Sequence, residues 1–140
     1  MTEADRIALG RELSHQAGGP LLRSRPMDPA RHTFSYHQAL AMLPSVQQLT
    51  EVAVSRVEAL FNRVQSRAEM KRREDELRLA MDEIAQQWAA EITSLGCEAK
   101  GLWLVDWDSG DGYYCWKYPE ETIAFFHSYE DGFAGRVPIN

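Results

Sequence analysis

The stretch GLWLVDWDSGDGYYCWKYPEETIAFFH, Gly101 to His127, decides how this chain folds. Its first eight residues mix aromatic and branched side chains, which suit a pleated surface. Ser109-Gly110-Asp111-Gly112 then supplies a turn, and Tyr113 to Tyr118 reads as the return strand of a β-hairpin. Side chains along a strand alternate faces. Trp103, Val105 and Trp107 therefore share one side, and Tyr114, Trp116 and Tyr118 share one side. A two-residue loop at either Gly110-Asp111 or Ser109-Gly110 puts both sets on the same face. The opposite face carries Leu104, Asp106, Asp108, Tyr113, Cys115 and Lys117. With Gly110-Asp111 as the loop, Asp106 lies across from Cys115 and Lys117 sits diagonally from Asp106. Pro119 ends the strand. Glu120 to about Tyr129 reads as a last helix, with Ile123, Phe126 and His127 on one stripe that turns His127 towards the polar face.

Upstream the period changes. Ser45 to Leu95 contains neither glycine nor proline. Apolar residues recur at Val46, Leu49, Ala53, Val57, Leu60 and Val64, then at Leu77, Met81, Ile84, Trp88, Ile92 and Leu95. Steps of three and four define a buried helical stripe. The segment between them is polar, and its basic residues Arg63, Arg67, Lys71, Arg72, Arg73 and Arg78 interleave with Glu69, Glu74, Asp75 and Glu76. Mixed signs at helical spacing predict a solvated surface with local ion pairs. The two stripes form either one rod of roughly 75 Å, at 1.5 Å per residue, or two antiparallel helices. The hairpin is preferred because each stripe then buries the other. Ser35 with Gln38 forms a capping box for a short helix over Tyr36 to Met42, and Pro44 is placed in the first turn of the next helix. Gly96 is the expected C′ residue after Leu95.

These readings define an α+β, mostly α fold: a long antiparallel helical hairpin, a two-stranded antiparallel β-hairpin and a short C-terminal helix. Residues 1–32 read as an N-terminal arm with a short helix and a linker, and 33–140 as one α+β domain, helical to residue 96. A chain of 140 residues with 44% hydrophobic content suffices for one core. A net charge of −6 argues against a nucleic-acid binder. No apolar run reaches the ~20 residues of a membrane span, and no secretory signal pattern opens the chain. Cys97 and Cys115 are accordingly read as thiols in a cytoplasmic protein, in preference to a Cys97–Cys115 disulfide. Long stripes on a thin monomer predict coiled-coil-like packing and an isologous homodimer.

The polar set has three readings. Asp106, Cys115, Glu120 and His127 offer oxygen, sulfur and nitrogen donors suited to zinc or another divalent metal. Cys115 with His127 offers a thiolate–imidazolium pair. Otherwise these groups form a structural network, with Asp106 paired to Lys117 or Arg136. No CxxC, HxxxH or HExxH motif is present. Neither is a phosphate loop, nucleophile elbow or dinucleotide fingerprint, so no reaction is assigned.

Val105-Asp106-Trp107, Cys115-Trp116-Lys117, Glu120, Ile123 to His127, and Gly132-Phe133-Ala134-Gly135-Arg136 together resemble the signature of an uncharacterised bacterial family, domain of unknown function 2203. Thr33-Phe34-Ser35, Ala39, Leu43 and Pro44 resemble its opening. The resemblance spans Thr33 to Ile139. It implies a helical hairpin, a β-hairpin and a terminal helix, and it brings no established activity. The matching positions are Asp106, Cys115, Trp116, Glu120, His127, Gly132, Gly135 and Arg136. Pro119 stands where that family commonly has glycine, and the connection between the strands is shorter. The functional expectation is a homo-oligomeric interaction or scaffolding module with a protein partner, the alternative being a metal- or small-ligand-binding protein.

Overall fold

The computed structural model describes residues 32–139. The short helix and linker expected in the N-terminal arm lie outside the described residues. Three α-helices come first: α1 (Tyr36–Asn62), α2 (Arg67–Arg72) and α3 (Glu74–Ser94). Five strands follow: β1 (Glu98–Gly101), β2 (Leu104–Asp108), β3 (Tyr113–Lys117), β4 (Phe125–His127) and β5 (Val137–Pro138). They form one antiparallel sheet in chain order. Among the described residues, no helix is long and apolar enough to cross a membrane.

The capping box at the start of α1 is as expected. Ser35 Oγ accepts from the Gln38 N–H at 3.0 Å, and Gln38 Oε1 accepts from the Ser35 N–H at 2.8 Å. The break expected at Pro44 does not occur, since α1 runs through it as one 27-residue helix. A proline inside a helix costs about 3 kcal/mol or more. Here Pro44 is solvent-exposed, so water can satisfy the carbonyl it leaves unpaired. Burying Leu43 and Val46 beside it returns about 1.5–3 kcal/mol each. Two turns of burial outweigh one lost hydrogen bond.

The buried positions of α1 are Ala39, Leu43, Val46, Thr50, Ala53, Val57 and Phe61. Those of α3 are Leu77, Met81, Ile84, Ala85, Trp88 and Ile92. The two stripes belong to one hydrophobic core. The helices run antiparallel, because Phe34, just before α1, lies against Gly96, just after α3. Gly96 has φ +96°, the left-handed value that ends a helix and that a side chain resists. The polar segment between the stripes folds as the short α2, capped by Ser66 Oγ on the Glu69 N–H. Arg73 pairs with Glu69 and Glu76, and Arg78 with Glu74, at the expected local spacings. A buried polar link ties α1 to α3. Thr50 Oγ1 donates to the Val46 carbonyl at 2.7 Å and accepts from the Trp88 indole N–H at 2.9 Å.

The β region corrects the expected fold. A five-stranded sheet replaces the two-stranded hairpin and its terminal helix. β1 has no counterpart in the expected fold, because Glu98-Ala99-Lys100-Gly101 has weak strand propensity. It pairs nonetheless, joined to β2 through Trp103 at φ 59°. That left-handed tryptophan costs about 1–2 kcal/mol, offset by its edge-on packing against Trp88 at 5.0 Å between centroids. The segment expected as helix Glu120–Tyr129 contains β4 instead. Its run Ile123-Ala124-Phe125-Phe126-His127 finds an unpaired edge on β3, and pairing there satisfies the backbone that a short isolated helix would leave half-bonded. The tail adds β5 to β4, with Pro138 on the outer edge where its missing N–H is harmless.

The oily face packs as parity requires. Val105, Trp107 and Trp116 are fully buried within the same core as the helical stripes. Trp116 donates its indole N–H to the Glu120 carbonyl at 2.7 Å. The other face of the sheet is left to the polar residues.

Replacing Thr50 by valine strands the Trp88 indole N–H inside the core. We expect a loss of about 1–3 kcal/mol in urea unfolding. The Thr50→Val, Trp88→Phe double variant should lose less than the sum of the two single changes.

Candidate functional site

Three adjacent strands build the site. In the β2–β3 register Asp106 faces Cys115, the pairing given by a Gly110-Asp111 turn. In the β3–β4 register Tyr113 faces His127, and Cys115 faces Phe125. His127 is therefore two residues along β4 from the partner of Cys115, on the same side of the sheet. Gly112 permits this close approach. A Cβ there would lie 2.5 Å from the Phe126 ring and 2.6 Å from the His127 carbonyl oxygen.

Asp106, Cys115 and His127 are all buried, and one donor atom from each lies within 4.8 Å of the others. His127 Nε2 meets Asp106 Oδ2 at 2.8 Å, and His127 Nδ1 meets the Ser128 carbonyl at 2.8 Å. A carbonyl can only accept, so Nδ1 carries a hydrogen. Burial works against a charged ring here. The hydrogen bond to Asp106, its negative charge and the Ser128 carbonyl outweigh burial, and the His127 pKa is raised. Asp106 Oδ1 is buried and accepts no hydrogen bond. Burial first, then the charge of Asp106, push the Cys115 thiol pKa up. Cys97, on the helix side, donates to the Ile92 carbonyl, and burial pushes its thiol up to about 12. Both cysteines are free thiols.

The other expected members lie around this cluster. Glu120 is not in it: Oε1 accepts from the Lys117 backbone N–H at 2.7 Å and from Arg136 Nη1 at 2.9 Å. The Arg136 guanidinium sits over the rings of Phe125, at 4.0 Å, and Phe133, at 4.3 Å. The Lys117 ammonium lies 5.3 Å from the centre of the Phe133 ring. Asp106 is thus paired with His127, not with Lys117 or Arg136.

The structure adds residues that sequence reading did not single out. The Tyr113 ring lies tilted against His127, at 5.4 Å between centroids, and edge-on to Tyr129, at 5.1 Å. The Tyr129 hydroxyl donates to Asp108 Oδ1 at 2.6 Å. Lys100 lies over the Tyr113 ring at 4.6 Å and pairs with Glu98 at 3.2 Å. Lys100 could not be found without β1, and Tyr129 could not be placed without β4. Parity along Tyr113 and Cys115 was the one available signal for the Tyr113 contact.

This geometry excludes a Cys115–His127 thiolate–imidazolium pair. Both ring nitrogens already face oxygen acceptors, so neither is left to take the thiol proton. A raised thiol pKa also opposes the thiolate that such chemistry needs.

Helices and sheet thus define a mixed α+β protein whose sheet buries an Asp–Cys–His cluster on the side away from the helices. The model of the family described as Uncharacterized conserved protein (DUF2203) matches residues 32–139, and the chain belongs to that family. No curated protein and no solved structure matches the chain.

Two measurements follow from these environments. Neither thiol should react with a disulfide reagent at pH about 8 faster than the protein unfolds, and a rapid stoichiometric reaction would contradict the burial. Because the His127 pKa is raised, its pairing stabilises the fold fully below its unfolded value near 6.5 and progressively less as pH rises through the folded value. Asp106→Asn should therefore cost about 3–5 kcal/mol near pH 6, where it leaves a buried imidazolium without its counter-charge. The cost should shrink at higher pH, as measured by denaturant unfolding across the range.

Proposed function

We propose that this protein binds a divalent transition metal, zinc by its donor chemistry, through Asp106, Cys115 and His127. The observation that carries the reading is the convergence of three buried donors of different type within 4.8 Å. Sulfur with imidazole nitrogen favours zinc over magnesium or calcium, which take oxygen. Tetrahedral zinc, with ligands at ~2.0–2.3 Å, separates its donors by roughly 3.3–3.8 Å. The cluster would contract by about 1 Å at its widest and open by about half an ångström between Asp106 and His127. The Nδ1–H bond to the Ser128 carbonyl supports the reading, since it aims Nε2 inwards as a ligand is aimed. So does Asp106 Oδ1, a buried carboxylate oxygen that accepts no hydrogen bond. Asp106 and a Cys115 thiolate would balance the charge of the dication.

Glu120 is left out of the ligand set because Arg136 and the Lys117 N–H hold its carboxylate. The homodimer expected from the apolar stripes loses that motive, because α1 and α3 share one core within the chain.

Binding replaces the thiol proton and, when the ring is charged, the Nε2 proton. Zinc affinity should rise about tenfold per pH unit above the His127 pKa and about a hundredfold per unit below it. Untagged protein should carry one zinc per chain by elemental analysis. Cys115→Ser and His127→Ala should each lose it. A wild-type protein that neither retains zinc nor takes it up in calorimetric titration would overturn the reading.

A further inference from the structure

We infer that a second site, a cleft of about 270 Å³ between α1 and the segment after β3, binds a primary aliphatic ammonium group. One wall is α1, where Gln47 and Glu51 stand one turn apart on the same face. The other is the chain that follows β3, from Tyr118 to Glu121. The two walls are fastened to each other. Gln47 Nε2 donates to the Glu121 carbonyl at 3.2 Å, and the Tyr36 hydroxyl donates to the Ile123 carbonyl at 2.7 Å. Trp116, which also lines the cleft, donates its indole N–H to the Glu120 carbonyl at 2.7 Å. The cleft is therefore preformed, as small-molecule sites usually are. Trp116 points to the helix side of β3 and Cys115 to the other, so the cleft is separate from the metal cluster.

The lining selects the ligand. Glu51, Glu120 and Glu121 face the cleft, and no lysine, arginine or histidine does. Glu120 is committed to Arg136. Glu51 and Glu121 are exposed and have no ion-pair partner among the described residues. Unneutralised carboxylates on facing walls repel, and a cation between them relieves that repulsion. Among the described residues, Asp106, Cys115 and His127 are the one set of three such donors that converges closely enough to hold a metal ion, so the carboxylates of the cleft do not converge on a point. An extended organic cation meets them instead. Tyr118 and Pro119 supply an apolar wall for its methylene chain. Gln47, with its amide nitrogen on Glu121, keeps its oxygen as an acceptor for the ammonium. The three donors of an ammonium radiate and so reach acceptors on different walls, whereas a guanidinium fork suits one planar carboxylate.

The test titrates amines into the full-length protein and follows the Trp116 indole N–H signal by nuclear magnetic resonance. Putrescine stands for a free amine, and Nα-acetyl-lysine methylamide for the lysine side chain of a protein partner. Uncharged n-butanol and sodium chloride at matched ionic strength are the controls. We expect a saturable shift with at least one amine and none with the controls. Tighter binding of putrescine identifies a free amine as the ligand, and tighter binding of the lysine derivative identifies a partner's lysine. Glu51→Gln and Glu121→Gln change exposed side chains and should each weaken binding about two- to fivefold. The double variant should weaken it at least about tenfold. An unshifted signal with both amines overturns the inference, as does binding that n-butanol reproduces or that the double variant leaves unchanged.

Discussion

Asp106 stands opposite Cys115 across β2 and β3, and that register governs the rest of the sheet. Shifting it by one residue would turn every side chain of a strand to the other face. Trp107 and Trp116 would then leave the helical core, and the carboxylate would enter it. The apolar face, with both tryptophans fully buried, holds the register against that slip. Burial of large rings at about 25 cal/mol per Å² greatly exceeds what any single polar contact on the other face contributes. The polar cluster is therefore placed by the hydrophobic side of the same strands.

The sheet brings opposite demands into one layer. Its inner surface is closed by α1 and α3, with Thr50 and Trp88 as a buried polar link between the helices. Among the described residues, α1 and α3 leave its outer surface to other segments. There residues after β4 return to the sheet: Tyr129 packs edge-on against Tyr113, and Arg136 lies over Phe125, the strand partner of Cys115. The three cluster residues are buried. The buried Asp106–His127 pair is thereby desolvated and held at 2.8 Å, the setting in which removing one partner is costly.

Around the cluster the charges are arranged in pairs. Arg136 is held by Glu120 and lies over Phe125, the strand partner of Cys115; Lys100 is held by Glu98 and lies over Tyr113, the strand partner of His127. The carboxylates restrain the cations without joining the donor set. The DUF2203 match, from residue 32 to 139, takes in both helical stripes, all five strands and the tail.

The sequence by itself determined the periodic parts. Steps of three and four located the stripes of α1 and α3, the Ser35–Gln38 box started the first helix, and parity along Trp103 to Tyr118 separated an oily face from a polar one. Each of these depends on neighbours within a few residues, so local chemistry carries it. Only the tertiary structure decided the rest. Pro44 stays inside α1 because the burial on either side of it outweighs the missing hydrogen bond. Glu98–Gly101 and Phe125–His127 become strands because the edges of β2 and β3 offer hydrogen bonds that no local pattern encodes. His127 reached Asp106 and Cys115 through strand pairing, not through a helical stripe, and Glu120 was drawn to Arg136 by a tail strand invisible in the alternation. Strand partners are chosen by long-range hydrogen bonding and burial, and a reading of nearby residues cannot see either.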